Sequence, residues 1–141
     1  MPKIVAISDT HMKHRELKVP EGDILIHAGD FTSKGKLEDL IDFNLWLGEL
    51  PHPFKVVIAG NHDFCFQNNS SESIKILSNA IYLKDQFIEL LGLKIYGSPW
   101  QPWFFDWAFN LKRGEEIKAK WDLIPEKMDI LITHGPPMGV L

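Results

Sequence analysis

Four apolar runs in this chain each break off into side chains of metal-binding type, and this recurrence restricts the possible folds more than any other feature of the sequence. Ile4-Val5-Ala6-Ile7 leads into Ser8-Asp9-Thr10-His11, and Ile24-Leu25-Ile26 into Gly29-Asp30. Val56-Val57-Ile58 leads into Gly60-Asn61-His62-Asp63, and Ile130-Leu131-Ile132 into Thr133-His134-Gly135-Pro136-Pro137. Short β-branched and Leu-rich runs bounded by turn residues predict buried strands. Between the second and third runs, Leu37, Leu40, Ile41, Asn44, Leu45 and Leu47 fall at helical spacing, and Pro51 and Pro53 close the segment, which predicts a crossover helix. The fold class is therefore α/β. In parallel sheets of this class ligands bind beyond the carboxyl ends of the strands, so the four clusters are expected to converge.

The rest of the chain is consistent with one domain covering residues 1–141. Ser71 to Asn79 predicts a second short helix with Ser71 or Ser73 as its cap, and Phe87 to Leu90 with Leu93 to Tyr96 predicts a β-hairpin turning at Leu91-Gly92. An apolar content of 45% in 141 residues is enough to bury a core. The net charge of -4, with 15 scattered Lys and Arg, provides no field for a polyanion, so stable nucleic-acid binding is not expected. Cys65 is the single cysteine, which excludes an internal disulfide. Neither a signal-peptide core nor a run of about 20 apolar residues is present, and a cytoplasmic protein without membrane contact is expected.

Each cluster has a chemical reading. Asp9 and His11 are two apart, so in an extended strand end both leave on one face and can chelate one ion. Gly29 lets the backbone turn tightly and place the Asp30 carboxylate at the mouth of the sheet, where it can bridge two cations. Asn61 offers an amide oxygen, and His62 offers an imidazole that can donate to a phosphoryl oxygen or a leaving group. Asp63 is expected to orient that imidazole. His134 completes a set of nitrogen and oxygen donors without a thiolate, which suits Mn, Fe, Zn or Co rather than copper(I) or an iron–sulfur cluster. Singly, each cluster is ordinary turn chemistry; turns do not account for four.

Other residues have quieter readings. His27, inside an apolar run, is expected to be a satisfied core histidine, and His52, between two prolines, a solvated loop residue. His14 fits either the cleft or the surface. Cys65, among aromatics, is expected to be packed rather than reactive. Three of the five tryptophans fall between Trp100 and Phe109, where they fit either core packing or a wall beside the metals that stacks on a ring.

The order Asp9-x-His11, Gly29-Asp30, Gly60-Asn61-His62-Asp63 and Thr133-His134-Gly135-Pro136-Pro137 resembles the calcineurin-like metallophosphoesterase superfamily. Ser8 to His11, Leu25 to Thr32 and Tyr96-Gly97-Ser98-Pro99-Trp100-Gln101-Pro102-Trp103-Phe104 are similar to the small metallophosphoesterase-domain-containing proteins related to cyclic nucleotide phosphodiesterases. The resemblance implies a four-layer α-β-β-α sandwich and two divalent metal ions. It implies that Asp9 and His11 bind the first metal, that Asp30 bridges, and that Asn61 and His134 bind the second. His62, assisted by Asp63, is then expected to contact the scissile phosphate while a hydroxide held between the metals attacks phosphorus in line.

The superfamily pattern continues with a further strand ending in Gly-His-x-His, one histidine for each metal, whereas this sequence reaches Leu141 without it. A C-terminally truncated domain is therefore expected, with an unpaired sheet edge and some exposed apolar surface. The same ending fits a shortened protein that borrows the element from a partner, such as another copy in a homo-oligomer, and it fits an inactive remnant. The expected function is metal-dependent hydrolysis of a small phosphodiester such as a cyclic nucleotide. The alternative is a noncatalytic nucleotide- or protein-binding relative of the same fold.

Overall fold

The structure is a computed structural model and describes residues 1–136. In chain order the elements are β1 (Ile4–Ile7), a single 3-10 turn (His14–Glu16), β2 (Ile24–His27), α1 (Leu37–Glu49) and β3 (Phe54–Val57). These are followed by α2 (Phe64–Asn68), α3 (Ser70–Ile76), β4 (Ile81–Tyr82), β5 (Gln86–Leu90) and β6 (Leu93–Ser98), then β7 (Gln101–Pro102), β8 (Asn110–Leu111), α4 (Glu115–Trp121) and β9 (Ile130–Thr133).

The first sheet has the order β1-β2-β3-β4 and is parallel throughout. When spatial order follows chain order, right-handed crossovers all pass over one face of the sheet. The packing agrees: Leu40, Phe43, Trp46 and Leu47 of α1 share a core with Cys65, Phe66 and Leu77, and this core meets Val5, Leu25 and Val57 of the sheet. Those four α1 residues recur at three- and four-residue spacing, which makes the buried stripe of the helix. Burial of each large apolar side chain contributes about 2–3 kcal/mol.

Strand side chains alternate between faces, so Ile24, Ile26, Val56 and Ile58 point the other way. There they meet Leu83, Ile95 and Ile132 in a second core. This inner layer belongs to the second sheet, ordered β5-β6-β9, in which β5 and β6 form the expected antiparallel hairpin and β6 and β9 run parallel. The crossover from β6 to β9 contains the short β7–β8 pair and α4. Trp121 of α4 and the following Ile124 face Leu131 of β9 across a cavity of about 360 Å³, which makes α4 the thin fourth layer. Phe87 and Leu131 on this outer face are 53% and 48% exposed.

Several local expectations are corrected. The short helix expected over Ser71 to Asn79 is α3, and α2 precedes it without having been expected; neither Ser71 nor Ser73 caps α3, and Asn69 holds the cap position without a side-chain bond. Ser73 is buried and donates its hydroxyl to the Cys65 carbonyl at 3.0 Å. His14 is at neither the cleft nor the surface: it is fully buried against Phe43 and Trp46, and its Nε2–H donates to Asp42 at 2.8 Å. His52 is not solvated, because its Nε2–H donates to the Pro20 carbonyl at 2.8 Å and the ring is buried. Cys65 is buried as expected, and burial pushes its thiol up to about 11.

Candidate metal centre

The four clusters converge, but not from one sheet. Asp9, Asp30 and Asn61 follow strands of the first sheet, whereas His134 follows β9 of the second, so the centre lies at the seam between the two. Pro137, the last residue of the fourth cluster, lies outside the described residues.

The backbone of these loops is tightly constrained. Asp9, His11, Met12 and Asp30 all have positive φ, at 55°, 40°, 67° and 59°. The expectation that Asp9 and His11 share a face of an extended strand is therefore replaced by a left-handed turn. Such conformations cost about 1–3 kcal/mol each and persist only where the surroundings hold them. Here Asp9 N–H donates to Gly29 O at 2.9 Å, His11 N–H to Asp30 O at 3.0 Å and Met12 N–H to Phe31 O at 3.1 Å, which ties the first loop to the second. Gly29, at φ 100°, is packed so closely that a Cβ there would lie 2.6 Å from Gly60 N.

Asp63 ties the second loop to the third. Its carboxylate is fully buried, with Oδ2 accepting from Gly60 N–H and Asp30 N–H, both at 2.8 Å. Oδ1 accepts from Thr32 N–H at 3.0 Å and the Thr32 hydroxyl at 2.7 Å. Burial pushes the Asp63 carboxyl up to about 6, while the bonds from Gly60 and Thr32 act in the opposite direction. With both oxygens engaged in this way, Asp63 does not orient the His62 ring as expected. The Ser33 carbonyl does, accepting from Nδ1–H of His62 at 2.8 Å.

The same device recurs at His134, whose Nδ1–H donates to the Ala28 carbonyl at 2.8 Å. A carbonyl can only accept, so when either ring is neutral its lone pair is at Nε2, facing the centre, and when protonated it donates from Nε2 there. Nε2 of His134 lies 2.8 Å from Asn61 Oδ1 and 3.4 Å from Asp30 Oδ2. Burial lowers the His134 pKa, but the bond to Asp30 and its charge outweigh that and raise it to about 9. Burial likewise opposes the Asp30 charge, yet the bonds from His134 and from His62 N–H hold its carboxyl below the usual range. Nε2 of His11 approaches Asp30 to 3.5 Å and Asp9 to 3.8 Å.

Two donor sets result, with ligand atoms in each within 4.8 Å of one another: His11, Asp30 and His62, and Asp9, Asp30 and His134. Asp30 belongs to both, the position expected of a bridging carboxylate. Asp9 faces His134 as well as His11, whose Nε2 lies 3.8 Å away, and His11 also faces His62. Asn61 joins the His134 set. Carboxylates, an amide oxygen and imidazole nitrogens converging on the same points, with the outer nitrogens of His62 and His134 anchored, are the arrangement a divalent cation requires. The residues fit such an ion.

Sequence reasoning passed over Thr32 and the carbonyls of Ala28 and Ser33. The Trp107 indole stacks on His62 with centroids 4.1 Å apart. The stretch that gave two readings divides between them: Ala108 and Phe109 are core, Trp107 forms a wall at His62, and Trp103, Phe104 and Phe105 are exposed. His27 is a satisfied core histidine, with Nε2–H donating to Thr10 Oγ1 at 2.9 Å and Nδ1 accepting from Gly29 N–H at 3.2 Å.

Among the described residues no helix is long and apolar enough to cross a membrane. The sequence model of the calcineurin-like phosphoesterase family matches residues 2–140. Human metallophosphoesterase domain-containing protein 1 is 46% identical over 162 residues, covering 99% of this chain and 50% of that protein. A UPF0046 protein of Caenorhabditis elegans is 42% identical over 154 residues, covering 97% of this chain and 54% of that protein. The chain thus spans about half the length of the curated relatives it matches. By its matched length and its converging donors, this chain belongs to the calcineurin-like phosphoesterase family, in the branch of the metallophosphoesterase domain-containing proteins.

Proposed function

We propose that the chain is a metal-dependent phosphodiesterase domain for a small substrate such as a cyclic nucleotide, with two divalent ions held on either side of Asp30. The observation that carries this reading is the sharing of Asp30 by two donor sets. Asp9, His11 and Asp30 would hold one ion, and Asp30, Asn61 and His134 the other. Ions there would supply Lewis-acid charge to the phosphoryl oxygens and acidify the attacking water.

The chain's own residues supply the rest. His62, with Nδ1–H committed to Ser33, turns Nε2 toward the centre, where in the imidazolium form it passes the Nε2 proton to the leaving oxygen. Asp63 works at one remove, fixing the amides of Asp30 and Gly60 so that the loops hold their geometry. The net charge of -4 favours a small substrate over a nucleic acid. A noncatalytic nucleotide- or protein-binding role is the second reading.

Hydrolysis of bis-p-nitrophenyl phosphate after dialysis against chelator and return of Mn(II) separates these readings. The enzyme reading expects activity only with metal and a loss of at least about 100-fold in Asp30→Asn, in line with loss of a charged group essential to transition-state stabilisation. Inactivity of both proteins with a Mn(II)-dependent rise in Tm supports the binding role. Absence of both activity and thermal shift rejects the metal centre.

A further inference from the structure

His62 is a ring with few restraints. Its side chain is 25% exposed, and the carboxylate next to it in sequence is committed to the amides of Asp30, Gly60 and Thr32. One hydrogen bond, Nδ1–H to Ser33 O at 2.8 Å, fixes an axis but leaves the plane of the imidazole free to swing about it. Two aromatic neighbours remove that freedom. The Trp107 indole lies over one face with centroids 4.1 Å apart and planes at 30°, and the His11 ring meets His62 edge-on at 4.8 Å and 84°.

Trp107 is itself held against the loop that carries His62. Ala108 N–H donates to Asn61 O at 2.9 Å and Phe109 N–H to Gln67 Oε1 at 2.7 Å, and both residues are fully buried. On the other side the Asn110 amide donates to Phe105 O at 2.7 Å, closing the turn that presents the indole. The stack is therefore part of a bonded frame rather than a chance contact between surface rings.

We propose that Trp107 is a positioning residue for His62: its indole, together with the Ser33 carbonyl, holds the imidazole in the plane that aims Nε2 at Asp30, the task a carboxylate partner otherwise performs. The consequence for catalysis rests on the proposed role of His62, whereas the restraint itself does not.

Two measurements on the full chain test this separately. In metal-free protein, the Nδ1–H resonance of His62 in NMR spectra reports whether the ring keeps its bond to Ser33. Trp107→Ala is expected to speed exchange of that proton about tenfold, while Trp107→Phe and the exposed-site control Trp103→Ala leave it within about twofold, since exchange follows local opening. Unchanged exchange in Trp107→Ala overturns the proposal. In bis-p-nitrophenyl phosphate hydrolysis, Trp107→Ala is expected to lower kcat about tenfold with KM within about twofold, and Trp107→Phe to restore most of it. In a His62→Asn background, Trp107→Ala should then cost nothing more. A further loss there shows that Trp107 acts independently of His62 and overturns the proposal. Normal kcat in His62→Asn rejects the role given to His62 and leaves the restraint to be decided by the exchange measurement.

Discussion

The two donor sets that share Asp30 are held in different ways. In one, the His134 side chain is 8% exposed and both its nitrogens face polar partners, Ala28 O and Asn61 Oδ1. In the other, the His11 side chain is 37% exposed and comes no closer than 3.5 Å to a carboxylate. In the first, His134 is already anchored by Nδ1–H to Ala28 O, whereas in the second His11 gains its order when an ion arrives. Preorganised ligands have lost their freedom in advance and bind with less entropy cost. The buried set should therefore dominate affinity, although Asp9 within it is 53% exposed.

The largest effect should come from breaking the better-held set. His134→Gln is expected to weaken Mn(II) binding about 100-fold and His11→Gln about tenfold, the two ends of the range for groups that organise a metal site. Calorimetric titration checks this, and equal losses would end the distinction between the sets. Asp63→Asn should damage both sets together, because one amide oxygen cannot replace the carboxylate that accepts from Gly60, Asp30 and Thr32. A loss of about 2 kcal/mol is expected in urea unfolding, with the ratio between His134→Gln and His11→Gln unchanged.

A further effect is a pH dependence beneath the loops of both sets. His27 bonds Thr10 and Gly29 as a neutral ring, and burial, then the nearby His14, lower its pKa from 6.5 to about 3. Between those values the unfolded chain takes up a proton that the folded chain refuses. The contribution of His27 is complete above pH 6.5 and is lost as pH falls toward 3, by at most about 1.4 kcal/mol per pH unit. Subtracting the urea-unfolding stability of His27→Gln from that of the parent at each pH isolates this slope, and a flat difference would show that His27 is not the group responsible.

The metal-type residues were legible because each sits at the end of a strand that its own neighbours define. Which sheet each strand joins was not, since Ile130-Leu131-Ile132 reads like any other buried run yet pairs with β6 rather than with β1, β2 or β3. His14 and His52 were misplaced because their partners, Asp42 and Pro20, lie 28 and 32 residues away. Asp63 suggested service to His62 by adjacency, but consecutive side chains at a turn diverge, and its bonds run to other loops. The left-handed turns at Asp9 and His11 carry no local signal, because non-glycine residues adopt them rarely and only under tertiary constraint. The α/β class, α1, the hairpin and the place of Asp30 between the other donors followed from pattern and chemistry together.

The bond from His134 to the Ala28 carbonyl closes a separation of 106 residues. Contacts so distant in sequence carry the entropy cost of a long loop, and they form after local pairings have shortened the path. The first sheet can assemble strand by strand along the chain, but His134 reaches its partners only once β9 has joined β6 and the two sheets have met. The His134 set is thus completed late in folding, and if it holds an ion, the rate at which a refolding chain gains metal affinity should time the closure of the sandwich itself.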